Sequence, residues 1–419
     1  MRFRALYLLL ILVAAAAAPS FAGGTKEGSQ EGGTEKAESG QGEEAGDQPA
    51  SPASSAPRNP KRGSDGVLEE PGVPPVEFHK KFATDFGRST VYFDSIISGG
   101  PPKDGIPSID SPVFTEVTDA SVWIGEREPV LLLMYKGIRR VYPLQILMWH
   151  EIVNDEFDGE PVLVTYCPLT TTIVAYRSLL DDGTRLEFGA TGRLRFSNLV
   201  MYDRQTESWW QQATGQGIVG RYAGDRLSMI PLQLVPWSEI LKHHPGAEVL
   251  ARESGYISWP YGKNPYEGYD RSKGPFLYRG PDLDPEEDLM GRVAAVRAGE
   301  EIRGFLYSAL EKETVVSERI GGREVVLFRQ PGMSSPVDAP IVAAGRDIGA
   351  VGAFYPEVAG RKLSFLIENN EIRDRETGSR WSLSGLAVEG KLEGTQLDSP
   401  VMIPHFVFSW NAFEEEYEK

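Results

Sequence analysis

The only cysteine among 419 residues, Cys167, lies in PVLVTYCPLTTTIVAYR, residues Pro161–Arg177. A lone thiol does chemistry when a neighbour holds it as thiolate, the form that attacks electrophiles and binds soft metals. Without such a neighbour it packs as a small apolar side chain. The spacing offers His150. Asp158-Gly159 is a two-residue hairpin signal. With those residues as the turn, Phe157 faces Glu160. Counting outward along both strands then sets His150 opposite Cys167, as a non-hydrogen-bonded pair with Cα atoms about 4.5 Å apart. An imidazole at that distance would lower the thiol from about 8.5 and could act as its base.

Around this pair stand Glu151, Asn154 and Asp155 of HEIVND, and Thr170 three residues beyond the cysteine. These four are the candidates for holding a ligand or cofactor. On a hairpin, Glu151 and Asp155 face away from His150. On a helix continued through Asp155, His150 and Asn154 would share a face at i, i+4. Cys167 and His150 are also the candidate metal ligands, and thiolate with imidazole suits a soft transition metal. A closed zinc site needs four ligands, and the sequence does not supply the remainder. His243-His244, beside Pro245, read as helix-end residues.

The elements that must position these residues are mostly strands. PVLLLMYKG and PVLVTYC are short buried runs; TRLEFGATG and SNLVMYDRQTESWW are β-prone segments closed by Gly or Asp turns. Helix is limited to PLQILMW (Pro143–Trp149), with proline in its first turn, and PWSEILKHHPG (Pro236–Gly246). The fold class is α+β, dominated by β.

The chain also repeats itself. DRQTESWW (Asp203–Trp210) returns as DRETGSRW (Asp374–Trp381), and GRYAGDRL (Gly220–Leu227) as GKLEGTQL (Gly390–Leu397). HEIVNDEFDGEPVLVTYCP (His150–Pro168) aligns without a gap on ETVVSERIGGREVVLFRQP (Glu313–Pro331). Three blocks in one order indicate an internal duplication with two similar lobes. The lobes are expected at 112–250 and 288–417, joined by a Pro/Gly/Tyr-rich connector at 251–287. Residues alike in both copies, such as Asp203 and Trp210 with Asp374 and Trp381, are expected to serve the shared fold. His150 and Cys167 become Glu313 and Gln330, so the second copy lacks the pair.

The start MRFRALYLLLILVAAAAAPSFAGG reads as a signal peptide, with a basic start, an apolar stretch and cleavage after Ala22. Fourteen apolar residues are short for a membrane span of about 20, so no stable span is expected after cleavage. Residues 23–66 are Gly, Ser, Glu and Pro, with too little apolar surface to offset ordering entropy; they read as a disordered tether. Residues 67–111 form a lead-in. The location is then periplasmic or extracellular. A net charge of −17 disfavours nucleic acid and anionic membrane surfaces as partners. A single cysteine rules out an internal disulfide.

At these residues the chain resembles a bacterial family, domain of unknown function 3179. HEIVND with VLVTYCPL, FGATGRLRFSNLVMYDRQTESWWQQATGQGIVG, and DRETGSRWSLSGLAVEGKLEGTQL carry the likeness, over about residues 112–413. The resemblance brings no activity with it. The family pattern reads Cys-Pro-Leu-Cys, and Thr170 stands at its second cysteine. A dithiol cycle or a two-thiolate metal site is therefore closed to this chain alone. Thr191-Gly192 stands where Ser-Gly is usual.

The residues fit first a ligand- or metal-binding protein of the cell envelope, with its site around His150 and Cys167. Its partner would be a small ligand or an envelope protein. An enzyme with Cys167 as nucleophile and His150 as base, acting on an electrophilic substrate, comes second. An interaction module in which Cys167 is merely packed comes third.

Overall fold

β-branched and aromatic runs interrupted by Gly and Asp favour short strands with tight turns. The computed structural model describes residues 61–255, 258–369 and 371–417. The signal peptide and nearly all of the tether lie outside the described residues. At the tether's end Arg62 already bridges Leu68 and donates to the Gly66 and Thr90 carbonyls. Among the described residues strands far outnumber helices, so the fold is β-dominated. None of the described helices is long and apolar enough to cross a membrane.

In the first half, Gln233–Pro236, Pro129–Tyr135, Ile138–Pro143, Glu248–Leu250 and Phe114–Glu116 form one sheet in that order. Met229–Ile230, Thr172–Arg177, Glu160–Cys167 and Ile152–Phe157 form a second. The third runs from Ile96–Ser98 through Phe188–Arg195, Asn198–Asp203 and Trp209–Gln211 to Gly217–Val219. The second half is built of smaller sheets. Val315–Ile320, Arg323–Gln330 and Ala350–Phe354 form one, and Phe365–Glu368, Glu371–Asp374, Arg380–Trp381 and Ala387–Glu389 another. The helix Leu144–His150 sits where PLQILMW predicts it, and Trp237–His243 where PWSEILKHH does.

The matched Asp/Thr/Ser/Trp motifs build the same turn twice. Asp203 Oδ1 accepts Thr206 N at 2.6 Å and its Oδ2 accepts Trp210 Nε1 at 2.9 Å. Asp374 receives Thr377 N at 2.5 Å and Trp381 Nε1 at 3.0 Å in the same way. Both carboxylates are buried, so each replaces lost water with backbone and indole donors. Gly220 and Gly390 have φ of 102° and 100°, and a Cβ on either would come within 2.9 Å of the Cα of Ser208 or Ser379.

The halves do not stand apart as separate lobes. Met333, Val342, Ile348, Ala350 and Leu383 join a core otherwise built from the first half and the connector's Tyr261. Val293, Ala295, Ile302 and Ile403 join the core that contains Cys167. The segment at 67–111 is more than a lead-in. Its Phe78, Phe82 and Phe86 rings pack on Trp209 at 4.8, 5.0 and 5.4 Å, each such contact adding about 0.5–1.5 kcal/mol beyond area burial.

Candidate functional site

Asp158 and Gly159 take φ of 47° and 76°, the left-handed pair that a tight hairpin turn demands. The register runs from Phe157↔Glu160 to Ile152↔Thr165, as the spacing requires. It stops there. Glu151 caps the preceding helix with φ 58°, and its carbonyl takes Tyr166 N at 2.9 Å. His150 therefore belongs to the helix and is not the cross-strand partner of Cys167. The same cap ends the alternative of a helix running on through Asp155.

The imidazole is engaged elsewhere. Its Nδ1 lies 2.7 Å from the Pro107 carbonyl and its Nε2 lies 2.7 Å from Tyr261 Oη. The ring stacks on Trp259 at 4.8 Å. Burial drives its pKa down to about 4, so it is neutral near pH 7. A carbonyl only accepts, so Nδ1 carries the proton and Nε2 accepts from the Tyr261 hydroxyl. Both nitrogens are spent, and the expected base and metal-ligand role of His150 has no lone pair left for it.

Cys167 is 1% exposed. Its pKa rises to about 11, first through burial and then through the nearby Glu151 charge. The thiol points to the Ser197 carbonyl at 3.8 Å. That is the reverse of an activated nucleophile, which needs a lowered pKa. Among the described residues no group of three or more His, Cys, Asp or Glu side chains could hold a metal ion.

The other candidates divide. Asn154 Nδ2 donates to Asp110 and the Phe188 carbonyl, while its Oδ1 accepts Phe188 N; it ties two strands together. Asp155 accepts from Arg140 at 2.7 Å and from Tyr142 at 2.5 Å. Asp155 lies on the opposite face of the sheet from Cys167, and Asn154, on the same face, is spent on these strand contacts. Thr170 does reach the thiol, and it belongs to a buried amide and hydroxyl network with Thr172 and Asn198. Glu151 also stays with Cys167. Burial lifts its pKa to about 8, opposed by a hydrogen bond from Tyr266.

Residues from other parts of the chain complete the surroundings. The connector brings Tyr266, Tyr269 and Asp270; the second half brings Arg292, Ser335 and Arg346. Arg292 donates to Thr171 Oγ1 at 3.1 Å, Asp270 Oδ2 at 3.3 Å and Ser335 Oγ at 2.9 Å. Tyr166, the neighbour of Cys167, feels Arg292, Cys167, Asp270 and Glu151 together. Tyr166 Oη, Asp270 Oδ1 and Arg292 Nε are buried without hydrogen-bond partners. Four non-glycine residues with φ near +55° sit at the cluster or beside it: Glu151, Thr171, Phe196 and Ser197. Such a φ is a real outlier for bulky Phe and β-branched Thr, and strain of this kind gathers at functional sites.

Periodicity could not expose these residues, because each comes from a different element. Two signals were available: three tyrosines within YGKNPYEGY, too aromatic for a solvated linker, and a basic start to the apolar strand RVAAVRA. Two clefts elsewhere, of about 450 and 220 Å³, are not lined by the cluster. The larger lies between the helix Trp237–His243 and the second half, and Gln330 borders it.

Comparison with known proteins finds no match among curated proteins and none among solved structures. A family model described as a protein of unknown function, DUF3179, matches residues 103–417. That interval takes in the Cys167 turn, the connector and both twin turns, and the chain belongs to this family.

Proposed function

We propose that this chain is an exported binding protein. It encloses a small polar ligand between the turn after Cys167, the Tyr-rich connector and the strand Arg292–Ala298. The observation that carries the reading is Tyr166, 0% exposed with a hydroxyl that has no partner. Leaving a buried hydroxyl unsatisfied costs about 1–3 kcal/mol. Native interiors avoid this with an ordered water or a ligand. Asp270 Oδ1 and Arg292 Nε, unpaired in the same cluster, enlarge the unused hydrogen-bonding capacity. The strained backbone at Thr171 and Ser197 fits a site whose shape is held against local preference.

The enzyme reading has less support, since the thiol is held protonated and His150 is occupied. A soft metal lacks a ligand set. One observation favours a purely structural role: Arg292 joins Thr171, Asp270 and Ser335, riveting first half, connector and second half. The twin Asp/Trp turns support an internally duplicated unit in which the first copy kept the site. Export rests on the leader sequence alone.

Native mass spectrometry of the purified protein tests the binding reading. A small mass released on denaturation is expected, with lower occupancy in Tyr166→Phe. No retained mass in either protein, together with a more stable Tyr166→Phe, would mean that the unpaired groups are a packing cost.

A further inference from the structure

Deepening the binding reading, on which it rests, we infer that the cluster takes a small oxyanion bearing one hydroxyl or protonated oxygen. Hydrogen phosphate, bicarbonate and 2-hydroxy acids share that chemistry. Arg292 is the buried guanidinium of the cluster and Asp270 its buried carboxylate. Arg346, with a side chain 45% exposed, reaches Asp270 from the solvent side, and Arg271, 61% exposed, pairs with Asp338. Arg292 and Arg346 both reach Asp270 Oδ2 at 3.3 Å, and Ser335 Oγ donates to the same oxygen. Asp270 Oδ2 is thus fully used while Oδ1 has no partner.

The other titratable groups near Tyr166 are uncharged near pH 7: Tyr266 and Tyr269, whose phenols burial pushes far up like that of Tyr166, the Cys167 thiol, and Glu151, which burial keeps protonated to about pH 8. Two guanidinium groups, Arg292 and Arg346, share the single Asp270 carboxylate, which leaves cationic capacity for one further negative charge.

Hydrogen-bond direction narrows the class. Arg292 Nε–H can only donate, and the Tyr166 hydroxyl donates readily to an anion, so the ligand must present accepting oxygens to both. Asp270 Oδ1 can only accept, so the ligand must also bring a hydrogen-bond donor, which on a small oxyanion is an O–H. Nitrate or chloride would satisfy the donors and leave Oδ1 repelled. A cation would meet the guanidinium groups.

The test is calorimetric titration of the full-length protein at pH 7 and fixed ionic strength. Phosphate, bicarbonate and glycolate are the probes, with nitrate and glycerol as controls. Saturable binding of at least one O–H-bearing oxyanion is expected, with nitrate at least tenfold weaker. Tyr166→Phe, a change that removes one oxygen and no packing volume, should weaken that binding at least tenfold. Arg292→Lys keeps the charge, removes Nε–H and should weaken it too. Saturation by glycerol with no oxyanion bound overturns the anion class and leaves the binding reading standing. No probe bound and no mass retained overturns both. Unchanged affinity in Tyr166→Phe moves the ligand away from this cluster and overturns the proposal.

Discussion

Glu151→Gln isolates one buried proton. Glu151 is 6% exposed, and burial raises its carboxyl pKa from 4.5 to about 8 against a hydrogen bond from Tyr266. The folded state therefore binds this proton more tightly than the unfolded state does. Stability from Glu151 is complete below pH 4.5 and drains away as pH rises to 8. At about 1.4 kcal/mol for each tenfold in proton affinity, the full gap is worth up to ~5 kcal/mol. His150 and His244, with pKa values near 4, and His405, near 3, act in the opposite sense. They stay neutral in the fold, so their contribution falls as pH drops below 6.5. The histidines are common to both proteins and cancel in the difference. Glutamine keeps the size and neutrality of the protonated acid and can adopt the same left-handed φ at equal cost. Urea unfolding at pH 4.5, 6, 7 and 8 should give proteins within about 1 kcal/mol of each other at the lowest pH, with the variant ~2–5 kcal/mol more stable at the highest. A difference that does not change with pH would refute the buried, protonated Glu151. So would a variant that is weaker at pH 8, since it would reveal a carboxylate held ionised by partners.

Cys167 should resist alkylation. A rise from 9.0 to about 11 leaves about a hundredfold less thiolate at pH 8. Iodoacetamide should therefore label the native protein at least ~100-fold more slowly than the urea-unfolded chain, and equal rates would contradict the buried thiol. Asp203→Ala and Asp374→Ala each strip a buried tryptophan N–H and a turn amide of their acceptor. Each should cost ~2–4 kcal/mol in urea unfolding, and a silent Asp374→Ala would contradict the equivalence of the two turns. Thr170 N donates to the Cys167 carbonyl at 3.3 Å, a turn that brings the two Cα atoms within about 7 Å, inside disulfide reach. Thr170→Cys should lose both free thiols when the protein is refolded under mild oxidation, counted by thiol titration after unfolding. Two thiols surviving oxidation would place that turn in a different shape.

The hairpin was readable because a two-residue turn fixes a register by itself, and Asp158-Gly159 names the turn. The sequence also reveals the twin Asp/Trp motifs, since each closes within eight residues. His150 escaped for a local reason: one left-handed residue, Glu151, converts strand into helix end, and φ at a glutamate is not written in composition. Counting along a ladder assumes that the ladder persists. The charged neighbours of Tyr166 lie more than 100 residues away in Asp270 and Arg292, and no periodic pattern couples a connector to a later strand. The connector looked like a linker because prolines and glycines dominate it. Its tyrosines are what it delivers to the site.

The contrast between the two halves bears on where chemistry resides. Groups that recur, such as Asp203 with Asp374, are saturated with hydrogen bonds, as a structural turn requires. At the Cys167 turn, Tyr166 is aligned with Arg329 and Cys167 with Gln330, so neither the phenol nor the thiol recurs. The unsatisfied hydroxyl lies there, and the strained residues Glu151, Thr171, Phe196 and Ser197 are gathered about it. Buried nitrogens of arginine and tryptophan side chains lack partners elsewhere too, but among the described residues Tyr166 carries the one buried hydroxyl without a partner. Leaving it open beside an arginine gains nothing in stability. The open hydroxyl has a use only if another molecule completes it, and Tyr166→Phe separates that use from mere tolerance.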